Sequence, residues 1–351
     1  MKICFLVPNL DKKAGWGRFS MEIVNRVSER GFDVEIVKIG KKLGRGVIFS
    51  IFKNALLVRK KIKNCDIVHC FDGFPYGIIG ALSNVGINKK LVINGVGTWS
   101  VLPLYQKRYQ WLLVWAYKRA DRVLCISRFV RDEIKKKVNL GNLEVVNLGV
   151  DLNKFNCINS LQKKKEKIIL SVGALVSRKG YHVSIPAIAE VKKIYPHIKY
   201  CVVGNQSNLE YFSELKKLVK KYDLVENIEF LNNLSDEELR DLYTISDLFI
   251  LTSINDGHAF EGFGLVYLEA NACGKPVIGT YGCGAEDAIK DGYNGFLVPQ
   301  NNVVATAEAI IKFFGGQSLQ KEMHKNALKW AKNHGWDKTV DGYLSVYKSL
   351  T

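Results

Sequence analysis

Short apolar runs alternate with amphipathic segments along the whole chain, and this alternation constrains the fold more than any other feature. Strands are predicted at 2–7, 33–38, 66–70, 90–94, 122–126 and 143–147, then at 167–173, 198–204, 227–231, 247–252, 276–280 and 295–298. Helical periodicity falls between them, near 17–30, 47–63, 75–86, 104–119 and 128–138, and again near 181–194, 208–222, 235–244, 263–273 and 303–314. Strands separated by helices form parallel sheets covered on both faces, because each parallel pair needs a long crossover. Twelve strands in 351 residues suit two doubly wound α/β sheets better than one. In such sheets ligands bind outside the carboxyl ends of the strands, so the loops after strands are the places to inspect.

The polar, lysine-rich stretch 156–166 lies midway and reads as a linker between domains 1–160 and 161–335. Helical stretches at 318–333 and 337–350 follow the last strand, and the second sheet does not need them. No apolar run reaches the ~20 residues of a membrane-spanning helix, and the N-terminus reads as a buried strand. Eight scattered cysteines include no Cys-x-x-Cys, which fits a reduced, cytoplasmic setting.

The net charge of +17 is unevenly spread. Residues 1–160 hold 28 Lys and Arg against 12 Asp and Glu, whereas the rest of the chain is nearly neutral. A codon preference for lysine would have acted on both halves, so a basic surface on the first half is expected. No helix-turn-helix, zinc or aromatic RNA-binding pattern accompanies it, and nucleic acid is not an expected partner. In 41–63, Ile48, Phe49, Phe52, Leu56 and Val58 alternate with cations that crowd the end at Arg59, Lys60, Lys61 and Lys63. Such a helix either packs its apolar face on the sheet or lies on an anionic membrane surface, peripheral to its inner face. The aromatic-rich stretch 104–119 reads as a packed helix.

Four segments carry chemistry. In Glu261-Gly262-Phe263-Gly264-Leu265-Val266-Tyr267-Leu268-Glu269 two glycines open a helix whose free N–H groups attract phosphate, and two carboxylates flank its start. Read from spacing alone, a glycine-started helix with two surface carboxylates explains it equally well. Arg178 and Lys179 follow the strand that ends at Gly173, where a guanidinium fork and a point charge can hold phosphate oxygens. Gly15 and Gly17 follow the first strand in Lys13-Ala14-Gly15-Trp16-Gly17-Arg18; Ser20 replaces the third glycine of a dinucleotide fingerprint. The turn Gly282-Cys283-Gly284-Ala285-Glu286 lies beyond the Glu261 helix.

The string EGFGLVYLEANACGKPVIG resembles the Glu-x7-Glu motif of the retaining GT-B glycosyltransferases of family 4 (group 1), which include mannosyl- and glucosyltransferases. Further matches at Asp121–Ser127, Asn147–Asp151 and Ser246–Ser253 extend the resemblance over nearly the whole chain. It implies a GT-B fold, two Rossmann-like domains facing a central cleft, with 336–351 a helix crossing back to the first domain. It implies an acceptor-binding first domain and a second domain that binds a nucleotide sugar. It casts Glu261 beside the donor sugar, Glu269 on the ribose hydroxyls, Arg178 and Lys179 on the diphosphate, and Gly15, Gly17, Gly173 and Gly262 with Phe263, Gly264 and Leu265 around the donor. The expected activity is retaining transfer of a mannose- or glucose-type hexose from a UDP- or GDP-sugar to a glycan or lipid-linked acceptor. No cofactor is expected, and because no Asp-x-Asp occurs, no metal.

One departure stands out. The family often has His-Gly-Thr after the fourth strand, with the His on the donor sugar; here Val96 precedes Gly97 and Thr98. His69, Gly97, Thr98 and His258 are the remaining candidates for sugar or acceptor contacts. The alternatives are a non-catalytic nucleotide-sugar-binding subunit, to which Val96 points, and a nucleotide-sugar epimerase on the same fold.

Overall fold

The computed structural model describes residues 1–8, 10, 15–40, 46–156 and 166–351. They divide into two compact units: Met1–Leu148 with Trp336–Thr351, and Gly149–Gly335. The boundary falls a few residues before the expected linker, most of which, 157–165, is outside the described residues.

The first unit holds six parallel strands, β1 (Lys2–Val7), β2 (Asp33–Lys38), β3 (Ile67–Cys70), β4 (Lys90–Gly95), β5 (Arg122–Cys125) and β6 (Leu143–Val145), in the order β2-β1-β3-β4-β5-β6. Five of the six side chains of β1 are buried, as a central parallel strand requires. The covering helices are α1 (Gly15–Glu29), α2 (Val47–Ile62), α3 (Ile78–Ser83), the short α4 (Thr98–Val101), α5 (Lys107–Arg119) and α6 (Arg128–Lys135). The chain steps from β1 to β2 in one direction and then from β2 to β6 in the other. Right-handed crossovers therefore put α1 on one face and α2, α3, α5 and α6 on the opposite face. The helix expected over 75–86 is shorter, because Gly73, Pro75 and Gly77 distort its first turn.

The second unit is also a six-stranded parallel sheet but winds differently, with β7 (Ile168–Val172), β8 (Lys199–Val203), β9 (Ile228–Leu231), β10 (Leu248–Ile250), β11 (Val277–Thr280) and β12 (Gly295–Val298) ordered β12-β11-β10-β7-β8-β9, three strands on each side of the reversal. Its helices are α7 (Tyr181–Lys192), α8 (Leu209–Lys221), α9 (Asp236–Ile245), α10 (Leu265–Ala272), the short α11 (Ala285–Ala288), α12 (Val303–Gly315) and α13 (Gln317–Lys332). Side-chain caps start several of them: Asn208 accepts from Tyr211 N, Asn302 from Ala305 N, and Ser235 with Glu238 closes a capping box.

The last helix, α14 (Trp336–Leu350), belongs to the first unit. Its buried face, Trp336, Val340, Tyr343 and Tyr347, runs at helical spacing, and Trp336 stacks near Phe19 of α1 at 6.4 Å. Among the described residues six cysteines are free thiols, whereas Cys273 is disulfide-bonded, which the sequence reading did not anticipate. Among them, too, no helix is long and apolar enough to cross a membrane.

Candidate active site

In each sheet the strand order reverses once, and the crevice beside that point is where a doubly wound sheet binds ligands. In the second unit the reversal lies between β7 and β10, whose register pairs Leu248 with Ile169. The loops that leave these two strands bring Arg178, Lys179 and Glu261 together. Lys179 Nζ donates to Glu261 Oε2, and Arg178 Nη1 stands 3.6 Å from the same oxygen. Ser253 Oγ donates to it at 3.3 Å. Lys179 and Glu261 are each 9% exposed, while the Arg178 side chain is a third exposed. Burial draws the Lys179 ammonium below its usual pKa, with Glu261 resisting. Burial also pushes the Glu261 carboxyl upward, but Lys179 and Arg178 together outweigh it and hold it below the usual carboxylate value. The cluster is a buried ion pair with a second, accessible cation at its edge.

The surrounding backbone is fixed by short-range chemistry. Gly180 has φ +70°, and a Cβ there would stand 1.7 Å from Thr252 O, so only glycine lets the loop after β7 pass β10. Thr252 Oγ1 donates to Gly180 O at 2.7 Å and Ile254 N to Arg178 O at 2.9 Å, which ties the two loops together. On the other side Gly284 N donates to Glu261 O at 2.8 Å, so the turn after β11 supports the Glu261 loop from below.

Gly264, at φ +86°, precedes α10 with no side-chain cap. A Cβ on it would meet the Tyr267 ring at 2.4 Å. Phe263 is buried, and Gly262 and Leu265 are half-buried, so the helix start faces partly outward. Glu269, one turn on, is 4% exposed and accepts from Tyr243 Oη at 3.1 Å. Gly173 is half-buried; its carbonyl accepts from Tyr181 Oη at 2.8 Å. His258 is half-buried on a tight turn closed by Asp256 and Ala259. Beyond β8 and β9 lies a cavity of about 340 Å³ lined by Asn205, Gln206, Ser207, Leu209, Phe212, Asn232 and Asn233. Leu175 N donates to Asn205 O at 2.8 Å, joining that cavity's rim to the Arg178 loop. Ser253, Thr252, Tyr243 and this cavity were missed in the sequence, where a lone hydroxyl or amide carries no spacing signal.

The first unit's reversal lies between β1 and β3 and is filled differently. His69 is fully buried: Nδ1 meets Tyr347 Oη at 2.5 Å and Nε2 meets Asn94 Oδ1 at 3.0 Å, which also accepts from Tyr343 Oη at 3.2 Å. Burial lowers its pKa to about 4, so the ring is neutral. With both nitrogens engaged by α14 and β4, His69 is an interior residue and not a surface for sugar. Gly97 and Thr98 are half-buried at the start of α4, and Val96 N donates to Ser100 Oγ at 2.9 Å. Gly15 and Gly17 sit in the first turn of α1, not in a loop before it; Lys13 and Ala14 are outside the described residues.

These features meet known proteins at several points. Residues 154–330 match the glycosyl transferases group 1 family and residues 14–154 match Glycosyltransferase Family 4. An uncharacterised glycosyltransferase of Methanocaldococcus jannaschii is 28% identical over 88% of this chain and 82% of its own length. A glycosyltransferase from Rickettsia africae superposes with a TM-score of 0.82 at 24% identity, covering 99% of this chain and 98% of that one. HepE of Anabaena, in complex with UDP-glucose, gives 0.80 at 19% identity over 99% and 100% of the two chains. Two parallel six-stranded sheets, the strand-end site and these matches agree on one class: the chain is a GT-B glycosyltransferase and belongs to the group 1, family 4 glycosyltransferases.

Proposed function

We propose that the chain transfers a glucose- or mannose-type hexose from a UDP- or GDP-sugar to a glycan or lipid-linked acceptor, with retention at the anomeric carbon. The observation that carries this reading is the meeting of Arg178, Lys179 and Glu261 beside the uncapped start of α10. When the glycosidic C–O bond breaks, negative charge collects on the β-phosphate of the leaving nucleoside diphosphate. Arg178, Lys179 and the first N–H groups of α10 lie where they can take up that charge, so side-chain cations serve in place of a metal ion. Without ligand, Glu261 balances the two cations. A diphosphate arriving at Arg178 takes over that balance and turns the Glu261 carboxylate toward the sugar, where the oxocarbenium-like centre is positive. The acceptor hydroxyl attacks from the leaving-group face and its proton passes to the departing phosphate oxygen, so each atom is accounted for. The amide-lined cavity beside Asn205, with Leu209 and Phe212 as an apolar wall, suits the edge and face of a nucleobase. Bound UDP-glucose in the HepE structure supports the donor class.

The test is a panel of UDP- and GDP-sugars assayed for donor hydrolysis and transfer, with the product anomer assigned by NMR, with and without EDTA. One donor consumed, with retention and equal rates in EDTA, is the expected outcome. No turnover with any donor that binds would favour the non-catalytic reading raised by Val96.

A further inference from the structure

We propose that the outward face of α2 is a docking surface for an anionic lipid bilayer. Two uses were open for the apolar residues of this segment, and the structure separates them. Val47, Ile51, Ala55, Val58 and Ile62 form the buried stripe that packs α2 into the first unit. The opposite stripe carries Phe49, Phe52, Leu56 and Leu57, exposed by 75, 47, 68 and 56%. Folding therefore leaves these four side chains in water. They are four of thirteen exposed large apolar residues among the described residues, so nearly a third of that class lies on one sixteen-residue helix. Scattered exposed apolar residues need no explanation, but a contiguous set on one helix face marks an interaction site.

Charge identifies the occupant. Lys53 and Lys60 interrupt the apolar stripe at helical spacing, Lys63 is exposed just beyond it, and α2 has no Asp or Glu. From residue 46 to 120 the chain has eleven Lys and Arg against two Asp; of these Asp72 is buried and Asp66 is engaged by the backbone of Lys2. Three of the four helices of this face form a continuous layer, α2 packing on α3 and α3 on α5, and the two carboxylates of this face's helices, Asp132 and Glu133, are on the fourth, α6. On α5 the exposed residues are Lys107, Arg108, Trp111, Lys118 and Arg119, with Trp111 63% exposed and Arg119 5.5 Å from the Trp115 ring. A layer with apolar and aromatic side chains pointing out, ringed by cations and nearly free of carboxylates, fits the boundary between anionic headgroups and acyl chains. A second copy of the chain fits it poorly, because a two-fold contact through this layer would set lysine against lysine.

This surface is separate from the donor site, and its test does not read activity. The full chain would be sedimented with vesicles of neutral phosphatidylcholine, and with vesicles in which part of that lipid is replaced by phosphatidylglycerol, at low and high salt. Binding should appear with the anionic vesicles only and fall steeply with salt. Phe49→Ser with Phe52→Ser and Leu56→Ser should weaken it by about tenfold or more. Lys53→Gln and Lys60→Gln should each weaken it by roughly fivefold. Circular dichroism melts would confirm that these exposed substitutions leave the fold intact. Should any variant fail to fold, the lipid and salt arms on the unaltered chain still decide. Equal binding to both vesicle types, binding to neither, or anionic binding untouched by the triple substitution overturns the proposal. So does concentration-dependent self-association abolished by that same substitution, which would make a second copy the occupant.

Discussion

Each sheet reverses its strand order once, between the second and third strands of the first sheet and at the middle of the second, and the two reversals hold opposite chemistry. Beside β7 and β10 the second unit buries a lysine and a glutamate and keeps Arg178 at the edge. Beside β1 and β3 the first unit buries a neutral histidine and caps it with Tyr343 and Tyr347 of α14. A buried charge pair costs more desolvation than its attraction returns unless geometry is good, and fold stability alone seldom demands one. A neutral histidine whose two nitrogens are both bonded costs little and fixes the surrounding packing. Position at a switch point is thus shared by both crevices and does not by itself set their chemistry. What distinguishes the second crevice is charge held against its solvation preference, with one cation left reachable.

That contrast can be broken by substitution. Removing both cations with Arg178→Ala and Lys179→Ala should lower turnover by at least roughly a thousandfold, since one lost charge-stabilising donor already costs a hundredfold or more. Steady-state kinetics with the donor found in the panel would check this, and near-normal turnover would return the pair to a structural role. His69→Ala should behave the other way. It strips Tyr347 and Asn94 of their partner and should cost roughly 3 kcal/mol of stability in a denaturant melt, with turnover per folded molecule little changed.

The same histidine predicts a pH response. Its pKa is about 4 in the folded chain and 6.5 in the unfolded one, so the unfolded state binds the extra proton. The stability it supports is intact above pH 6.5 and fades as pH falls toward 4, by up to roughly 3 kcal/mol. Melts of His69→Phe should lose that part of the acid sensitivity. The smallest effect is expected at Glu269. Glu269→Ala should weaken nucleoside diphosphate binding by about tenfold while kcat falls little, if this carboxylate holds the ribose. Calorimetry with UDP and GDP would show it.

Much of this was legible beforehand. The strands were placed within two residues at their ends because buried parallel strands are continuous apolar runs with polar borders, as Lys2–Val7 and Gly295–Val298 illustrate. The Glu261 and Arg178 segments were legible because glycines and charges at strand ends are costly for folding. What the sequence did not show is pairing across distance: Lys179 to Glu261 spans 82 residues and His69 to Tyr347 spans 278. Nothing local to His69 tells that a helix near the end of the chain will cover it. The two faces of α2 were ambiguous for a related reason, since Val58 and Leu56 are alike as letters and only burial separates them.

In the proposed cycle Glu261 stands in for the donor's negative charge at Arg178 and Lys179 and then serves the sugar. Glu261→Gln tests it most directly, because the amide keeps the shape and removes the charge. Titration calorimetry with the bare nucleoside diphosphate, beside kcat for the full donor, reads both roles of Glu261. UDP or GDP should bind the variant at least as tightly as the native chain, because the cations are no longer neutralised, while kcat should drop by about a hundredfold or more. Weaker nucleotide binding with kcat unchanged would contradict it.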